Sequence, residues 1–279
     1  MTAQKDAHLP VRYDPRLIEE AVFIAMHGQP QARVFRRERN RLYEITDAEE
    51  RERAFQELHH TWFVRLGLGD QIDRAINEQP LLTSSVGSYV VARAPAKKEE
   101  GAELFVNPEA ELSEKERRTV RILIRPESFL DPVALLTFLR HELLHITDML
   151  DPNFGYEPVL PVAEGGPGHS RLLQDRYRAL WDATIDGRMV RHGWAPKSIR
   201  AERLADFCRT FSMLGEEAAQ VFGRFFDQEL HTHAELVAFT CEPRAAIGSS
   251  RVAPQPGSRC PLCHFPTYAL SSGTGPDSA

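Results

Sequence analysis

The sequence predicts an α+β protein that is mainly helical and carries one small sheet. Residues 47–66 place apolar side chains at helical spacing behind Asp47, which suits the N-cap position. Residues 88–125 differ, because they contain three short runs rich in β-branched residues, SYVVARA, AELFV and TVRILIR. Charged or proline-containing turns separate these runs. We therefore expect a small antiparallel sheet set among helices.

Capping signals and apolar spacing predict the other helices. Asp-Pro pairs at 14–15 and 131–132 each place an N-cap residue before a proline in the first helical position. The second pair begins a helix that runs to about Leu150 and follows the last predicted strand. Residues 151–168 contain too many prolines and glycines for a helix, so they are expected to form a long loop. The remaining predicted helices cover about 14–26, 170–191, 198–213, 215–230 and 232–240.

Composition bounds the classes of function. The 279 residues carry a net charge of −6, which gives no chain-wide basic surface and argues against a nucleic-acid partner. A local arginine patch is compatible with this net charge. No segment approaches the ~20 consecutive apolar residues that span a bilayer, so no membrane partner is expected. The first residues lack the pattern of a secretory signal. We expect a soluble cytoplasmic protein.

The segment HELLH at 141–145 is the main candidate for chemistry. Residues four apart lie on one helix face, so His141 and His145 can bind one zinc ion at about 2.0–2.1 Å. Glu142 projects from the same side and can take a proton from a zinc-activated water. The alternative is an amphipathic helix with two incidental histidines. Its apolar stripe, opposite the histidines, comprises Leu136, Leu139, Leu143, Ile146 and Leu150.

A catalytic zinc requires a third protein ligand, and the sequence leaves this ligand open. Asp182 and Asp186 lie four apart on the next long helix, so one can ligate while the other orients an imidazole. An acidic, solvated face that also includes Asp175 would give the same spacing. The rival ligand is His169, at the start of that helix. Two alternatives remain: Asp148 is the third ligand, or the site has no third protein ligand.

These residues resemble the zincin metallopeptidases, in which a strand precedes the HExxH helix. The resemblance covers about residues 85–192 and is specific at His141, Glu142 and His145. It implies zinc as the cofactor, both histidines as ligands, Glu142 as the general base and peptide-bond hydrolysis as the reaction. The substrate would be a peptide or protein.

Two branches of that group differ in the third ligand. The pair Asp182 and Asp186 is similar to the arrangement in the gluzincins, where an acid on a following helix binds the metal and an aspartate lies four residues later. Asp182 is, however, shorter than the glutamate that those enzymes use. His169, after a glycine-containing loop, is similar to the SprT/Spartan proteases, which implies substrates bound to nucleic acid. The metzincin continuation is absent, since ITDMLDP follows His145. Tyr156 and His169 are the first candidates for a donor to a developing oxyanion.

The C-terminal cysteines predict a second metal site. CPLC places Cys260 and Cys263 as half of a zinc knuckle, and Cys241 could add a third thiolate. A degenerate knuckle without metal and a redox pair are the alternatives. The fourth ligand would be one of three histidines: His264, His231 or His233.

The expected organisation has three parts. Residues 1–84 form an N-terminal helical region, residues 85–240 a zincin-like metal-binding core with the helices that follow it, and residues 241–279 a linker, the knuckle and a disordered tail. The expected function is a zinc-dependent peptidase. A non-catalytic, zinc-stabilised scaffold or partner-binding protein is the alternative. Manganese, iron and cobalt suit the same ligand types.

Overall fold

A computed structural model describes residues 11–109, 111–161, 166–228, 231–247, 258–259 and 266–267. The strands are β1 (Val11–Tyr13), β2 (Ser88–Arg93), β3 (Gly101–Val106), β4 (Arg118–Ile124), β5 (Ser258–Arg259) and β6 (Pro266–Thr267). The helices are α1 (Pro15–Met26), α2 (Ala32–Leu42), α3 (Ala48–Arg65), α4 (Asp70–Asn77), α5 (Pro80–Ser85), α6 (Glu114–Arg117), α7 (Pro132–Leu150), α8 (Pro167–Arg191), α9 (Ile199–Thr210), α10 (Ala218–Phe226) and α11 (His233–Cys241). Short 3-10 turns cover Lys97–Glu99, Pro126–Leu130, Ser212–Glu217 and Pro243–Ile247.

The chain is mostly helical with a small sheet, which confirms the α+β class. The predicted caps are confirmed as well: the carboxylates of Asp14, Asp47 and Asp131 accept backbone N–H groups at the starts of α1, α3 and α7. Helices α2, α4, α5 and the short α6 were not predicted. In α2 only Ala32 and Phe35 are buried, so the segment shows too few apolar residues to reveal a helical period.

The sheet is mixed, and the expectation of an antiparallel sheet was wrong. Its order is β1-β2-β4-β3, with β1 parallel to β2, β2 parallel to β4, and β3 antiparallel to β4. The three-residue β1 is too short to show alternation, and five helices separate it from β2. Parallel neighbours require such a long crossover. In this strand order the antiparallel strand β3 is an edge strand, and it lies beside α7.

Two hydrophobic cores meet at α7. The first contains the N-terminal helices, the sheet and one face of α7, including Leu139, Leu143 and Ile146. The second contains α8 to α11 together with Leu144 of α7. The expected boundary between residues 84 and 85 therefore does not separate two cores, because the N-terminal helices and the sheet share the first one. Helix α7 lies between the cores.

The two faces of α7 have different environments, as the apolar pattern predicted. Leu136, Leu139, Leu143 and Ile146 are buried, and Leu150 is partly buried against the same core. The imidazoles of His141 and His145 retain 16% of their side-chain exposure. Within the described ranges, no helix is both long enough and apolar enough to cross a bilayer.

Candidate metal centre

Three side chains from α7 and α8 converge at the junction of the two cores. Nε2 of His145 lies 3.3 Å from Nε2 of His141 and 3.2 Å from Oδ1 of Asp182. Nε2 of His141 lies 3.7 Å from the same carboxylate oxygen. Among the described residues, this is the one group of three or more histidine, cysteine or acidic side chains whose donor atoms could share an ion.

The size of this triangle fits a single zinc ion. Atoms bound at about 2.0–2.2 Å to a tetrahedral zinc lie about 3.3–3.6 Å from one another. The observed separations of 3.2, 3.3 and 3.7 Å bracket that range. Two imidazoles and one carboxylate are also a donor set that hydrolytic zinc sites use, leaving the fourth position for water or substrate. The residues present therefore fit zinc.

The position of α8 brings Asp182, and not His169, to the two histidines. His169 lies in the first turn of α8 and is exposed. At about 1.5 Å per residue, it is about 20 Å from Asp182 along the helix. Asp182 is shielded, with 22% of its side chain exposed, whereas Asp175 is exposed. An acidic solvated face thus describes Asp175 but not the aspartate beside the imidazoles.

Asp186 lies behind His141, on the side away from the triangle. Its Oδ1 accepts a hydrogen bond of 2.8 Å from Nδ1 of His141, and its side chain is 1% exposed. The other oxygen, Oδ2, accepts from Nε of Arg203 on α9. In the neutral imidazole, an N–H at Nδ1 that donates to Asp186 leaves the lone pair of Nε2 directed at the triangle, which is the form that a metal would bind.

The electrostatic field at the triangle favours positive charge. Burial acts to lower the pKa of His141, but hydrogen bonds and charge from Asp182 and Asp186 outweigh it and raise the pKa to about 9. Burial acts to raise the pKa of Asp182, yet its contacts with the two histidines hold it well below its usual range. The two carboxylates that stabilise a proton here would stabilise a metal cation for the same reason.

Glu142 lies between α7 and the edge strand. Its Oε2 accepts a hydrogen bond of 3.2 Å from the backbone N–H of Ala102 in β3. A Cβ at Gly101 would lie 3.4 Å from the same oxygen, at van der Waals contact, so this end of β3 lies directly against the carboxylate. Glu142 is half-buried, so it is shielded but still accessible.

Trp181 packs against the other histidine. Its ring lies edge-on to His145, with centroids 4.5 Å apart, and its indole N–H donates to Asp148 at 2.7 Å. Asp148 is buried and also accepts two hydrogen bonds from Arg188. It thus supports His145 through the indole and joins α7 to α8, and it is not one of the three converging side chains.

The side chains that could donate a hydrogen bond to an oxyanion lie in different parts of the structure. Tyr156 is half-buried and stacks on Trp181, with centroids 5.6 Å apart, and burial raises its pKa. The hydroxyl of Tyr177 is 2.7 Å from Nδ1 of His233, inside the second core. His169 is exposed at the start of α8. Tyr156 and Tyr177 both contact Trp181, the ring that packs on His145, but the Tyr177 hydroxyl is already paired with His233.

The predicted C-terminal site lies mostly outside the described residues. Cys260, Cys263 and His264 are outside them, so their expected roles stay predictions. Cys241 is exposed at the end of α11. His233 is buried and paired with Tyr177. His231 lies against Phe225 at a ring separation of 5.1 Å.

Sequence reasoning missed two contributors to this site. Arg203 reaches Asp186 from α9, and Ala102 reaches Glu142 from β3. Neither has a fixed spacing from HELLH, so no local pattern identifies it. One signal was available for Arg203. An aspartate that orients an imidazole with one carboxylate oxygen needs a partner for its other oxygen, and an arginine can supply it.

Comparison with known proteins adds no assignment. No protein-family model, curated protein or solved structure matches this chain.

Proposed function

We propose that this chain is a zinc-dependent metallopeptidase of the zincin type. The observation that carries the proposal is the triangle of His141 Nε2, His145 Nε2 and Asp182 Oδ1, which has the dimensions of one tetrahedral zinc site, with Glu142 on the same helix. When bound, zinc supplies a Lewis acid for a carbonyl oxygen and lowers the pKa of water.

The side chains around that ion have separate roles. His141, His145 and Asp182 hold it, and Asp186 keeps the His141 lone pair pointed inward. Glu142 takes the proton from the attacking water and returns it to the departing amine nitrogen. The Ala102 N–H holds the Glu142 carboxylate beside β3, where a scissile bond would lie.

A peptide is the substrate class that the edge of the sheet supports. The Ala102 N–H points away from β4 and toward Glu142. Alternate residues of an antiparallel strand direct their amides to the same side, so Leu104 and Val106 present theirs at this outer edge too. An extended peptide could pair with the amides of Leu104 and Val106 as an added strand and pass the Glu142 carboxylate.

The test is hydrolysis of a proteome-derived peptide library by the zinc-loaded full chain, with new termini read by mass spectrometry. Glu142→Gln should lower the rate by about 10²-fold or more because the proton acceptor is lost. Zinc per chain should stay unchanged. The matched control is Glu57→Gln, an exposed glutamate on α3, which should keep the wild-type rate. Zinc-loaded wild type that cleaves nothing, or Glu142→Gln at full rate, contradicts the proposal.

A non-catalytic zinc scaffold is the second candidate, and one observation favours it. The two histidines belong to α7 and Asp182 to α8, so a metal there would connect the helices at the junction of the two cores. A structural ion contributes folding free energy directly. A scaffold therefore predicts that a chelator unfolds the chain and that Glu142→Gln changes nothing. A peptidase predicts loss of hydrolysis by a chain that stays folded.

The SprT-like alternative receives less support. It requires His169 as the third ligand, and that residue is exposed about 20 Å from Asp182 along α8. We therefore assign the third ligand to Asp182, as in the gluzincin-like arrangement.

A further inference from the structure

Helix α2 concentrates positive charge in a chain that is negative overall. Its 11 residues include five arginines and one glutamate, whereas the whole protein carries −6. Four of these arginines are exposed on the face opposite the buried Phe35: Arg33, Arg36, Arg37 and Arg41. We call them the arginine face. The fifth, Arg39, lies over the ring of Phe23 and is not part of it.

The arginine face is electrostatically unfavourable in isolation. Arg33, Arg37 and Arg41 follow one another at i, i+4 spacing, which sets like charges side by side on a helix. Across the described ranges, none of the four forms an ion pair with a carboxylate; the Nε of Arg36 donates to the carbonyl of Ala32. A bound polyanion would remove this repulsion.

The shape of the face suits a phosphate backbone. The four arginines line a shallow groove together with Asn40 and one acid, Glu44. Arg33 and Arg41 are about 12 Å apart along the helix axis at about 1.5 Å per residue. A single strand laid along the helix could place about three of its phosphates against the four arginines over that length. Guanidinium groups bind phosphate oxygens in pairs, with a geometry that matches their planar fork.

An exposed aromatic side chain stands at the end of the face. Tyr43 is the C-cap residue of α2 and is 63% exposed. Its ring meets Phe55 edge-on, with centroids 5.2 Å apart, and it lines a second groove, between α1, α2 and α3. A basic groove followed along the chain by an exposed aromatic ring is a combination that binds single strands, because unpaired bases stack on such rings.

We propose that the arginine face binds single-stranded nucleic acid through its backbone phosphates, with Tyr43 as a stacking platform for a base. The net charge of −6 excludes a chain-wide basic surface but does not remove this local one. An acidic protein would meet the arginines equally well, but it would leave Tyr43 without a base to stack on. The inference is independent of the metallopeptidase proposal, because none of its residues lies at the metal centre.

The test is fluorescence anisotropy of a labelled 20-nucleotide single strand of mixed sequence, titrated with the full chain between 50 and 300 mM KCl. For about three phosphate contacts, log affinity should fall against log salt with a slope of about −2. Arg33→Gln/Arg37→Gln should reduce the magnitude of that slope by about 1.4 and weaken binding at the lowest salt about tenfold. The control pair Arg171→Gln/Arg178→Gln removes the same charge from exposed positions on α8 and should stay within about twofold of wild type.

Two further variants test the details of the face. Glu44→Gln removes the one acid that lines the groove, so binding should tighten, by about twofold or more. Tyr43→Ala removes the stacking ring, so binding of the oligonucleotide should weaken about fivefold or more. The thermal midpoint of the double variant separates weaker binding from loss of folding. Because the variant has fewer like charges on α2, its midpoint should equal that of wild type or be higher.

Four outcomes would overturn the inference. They are no binding by wild type at 50 mM KCl, equal weakening in the α8 control pair, an unchanged affinity of Tyr43→Ala, and equally tight binding of a poly-glutamate peptide of matched charge. The last result would assign the face to an acidic protein partner instead.

Discussion

Asp186 accepts a hydrogen bond from Nδ1 of His141 at 2.8 Å, although 45 residues separate them in the sequence. Arg203 donates to the other oxygen of the same carboxylate, which is 1% exposed. The carboxylate is therefore fixed from both sides, and the imidazole takes its orientation from it. This buried contact is the means by which α8 and α9 control a side chain on α7.

Loss of charge at Asp186 should weaken metal binding. We expect Asp186→Asn to lower zinc affinity by about 10–100-fold, because the negative charge that orients and polarises His141 is lost. Competition with a chromophoric zinc chelator measures this. The matched control is Asp175→Asn, an exposed aspartate on the same helix, which should leave the affinity unchanged. Equal affinities of Asp186→Asn and wild type would refute a role for this carboxylate.

The third ligand can be identified by metal content. Asp182→Ala should lose the ion of this site because one of three converging donor atoms is removed, while His169→Ala should retain it. Elemental analysis of both variants in a Cys260→Ala/Cys263→Ala background separates this site from any zinc bound by the C-terminal cysteines. Retention in Asp182→Ala with loss in His169→Ala would reverse our assignment.

Glu78 should make stability depend on acid pH. The Arg140 guanidinium, which donates two hydrogen bonds of 2.7 Å, holds the pKa of Glu78 below its usual range, and Arg74 adds to this. A lowered pKa in the folded state means that the stabilisation is complete above the unfolded value of about 4.3 and is lost as pH falls through the folded value. Glu78→Gln should lower the free energy of unfolding by about 2 kcal/mol at pH 7.

Chemical denaturation at several pH values checks this prediction. The difference between wild type and Glu78→Gln should shrink once the pH drops below about 4.3. Glu114→Gln is the control, because Glu114 pairs with Arg118 at the surface and is 81% exposed, so little change is expected. A difference that stays constant down to pH 2 would show that the ion pair is not its source.

Gly187 should tolerate no side chain. A Cβ there would lie 2.0 Å from the carbonyl oxygen of Phe226, so α10 and α8 approach each other only because this position is glycine. Gly187→Ala should destabilise the chain by about 1–3 kcal/mol, measured as a lower thermal midpoint. Gly168→Ala, on the same helix with no atom near its Cβ, should be neutral or stabilise by up to about 1 kcal/mol. Equal effects of the two substitutions would contradict this steric explanation.

Local patterns predicted much of the helical structure. Asp14, Asp47 and Asp131 cap the helices they were expected to cap, because a cap depends on atoms within three residues of it. The mixed sheet was not predictable in the same way. Its parallel neighbours β1 and β2 are far apart in sequence, and a three-residue strand acquires its partner only through the packing of the helices between them.

At the candidate site, the local pattern was enough to predict the arrangement within one helix. The i, i+4 spacing puts His141 and His145 on one face with Glu142 beside them, and the leucine stripe buries the opposite face. That Asp182 and not His169 meets the imidazoles, that Arg203 holds Asp186 and that β3 reaches Glu142 could be read only from the folded chain. Helical periodicity fixes directions within a helix, whereas the contact of α7 with α8, α9 and β3 follows from how two hydrophobic cores pack on either side of it.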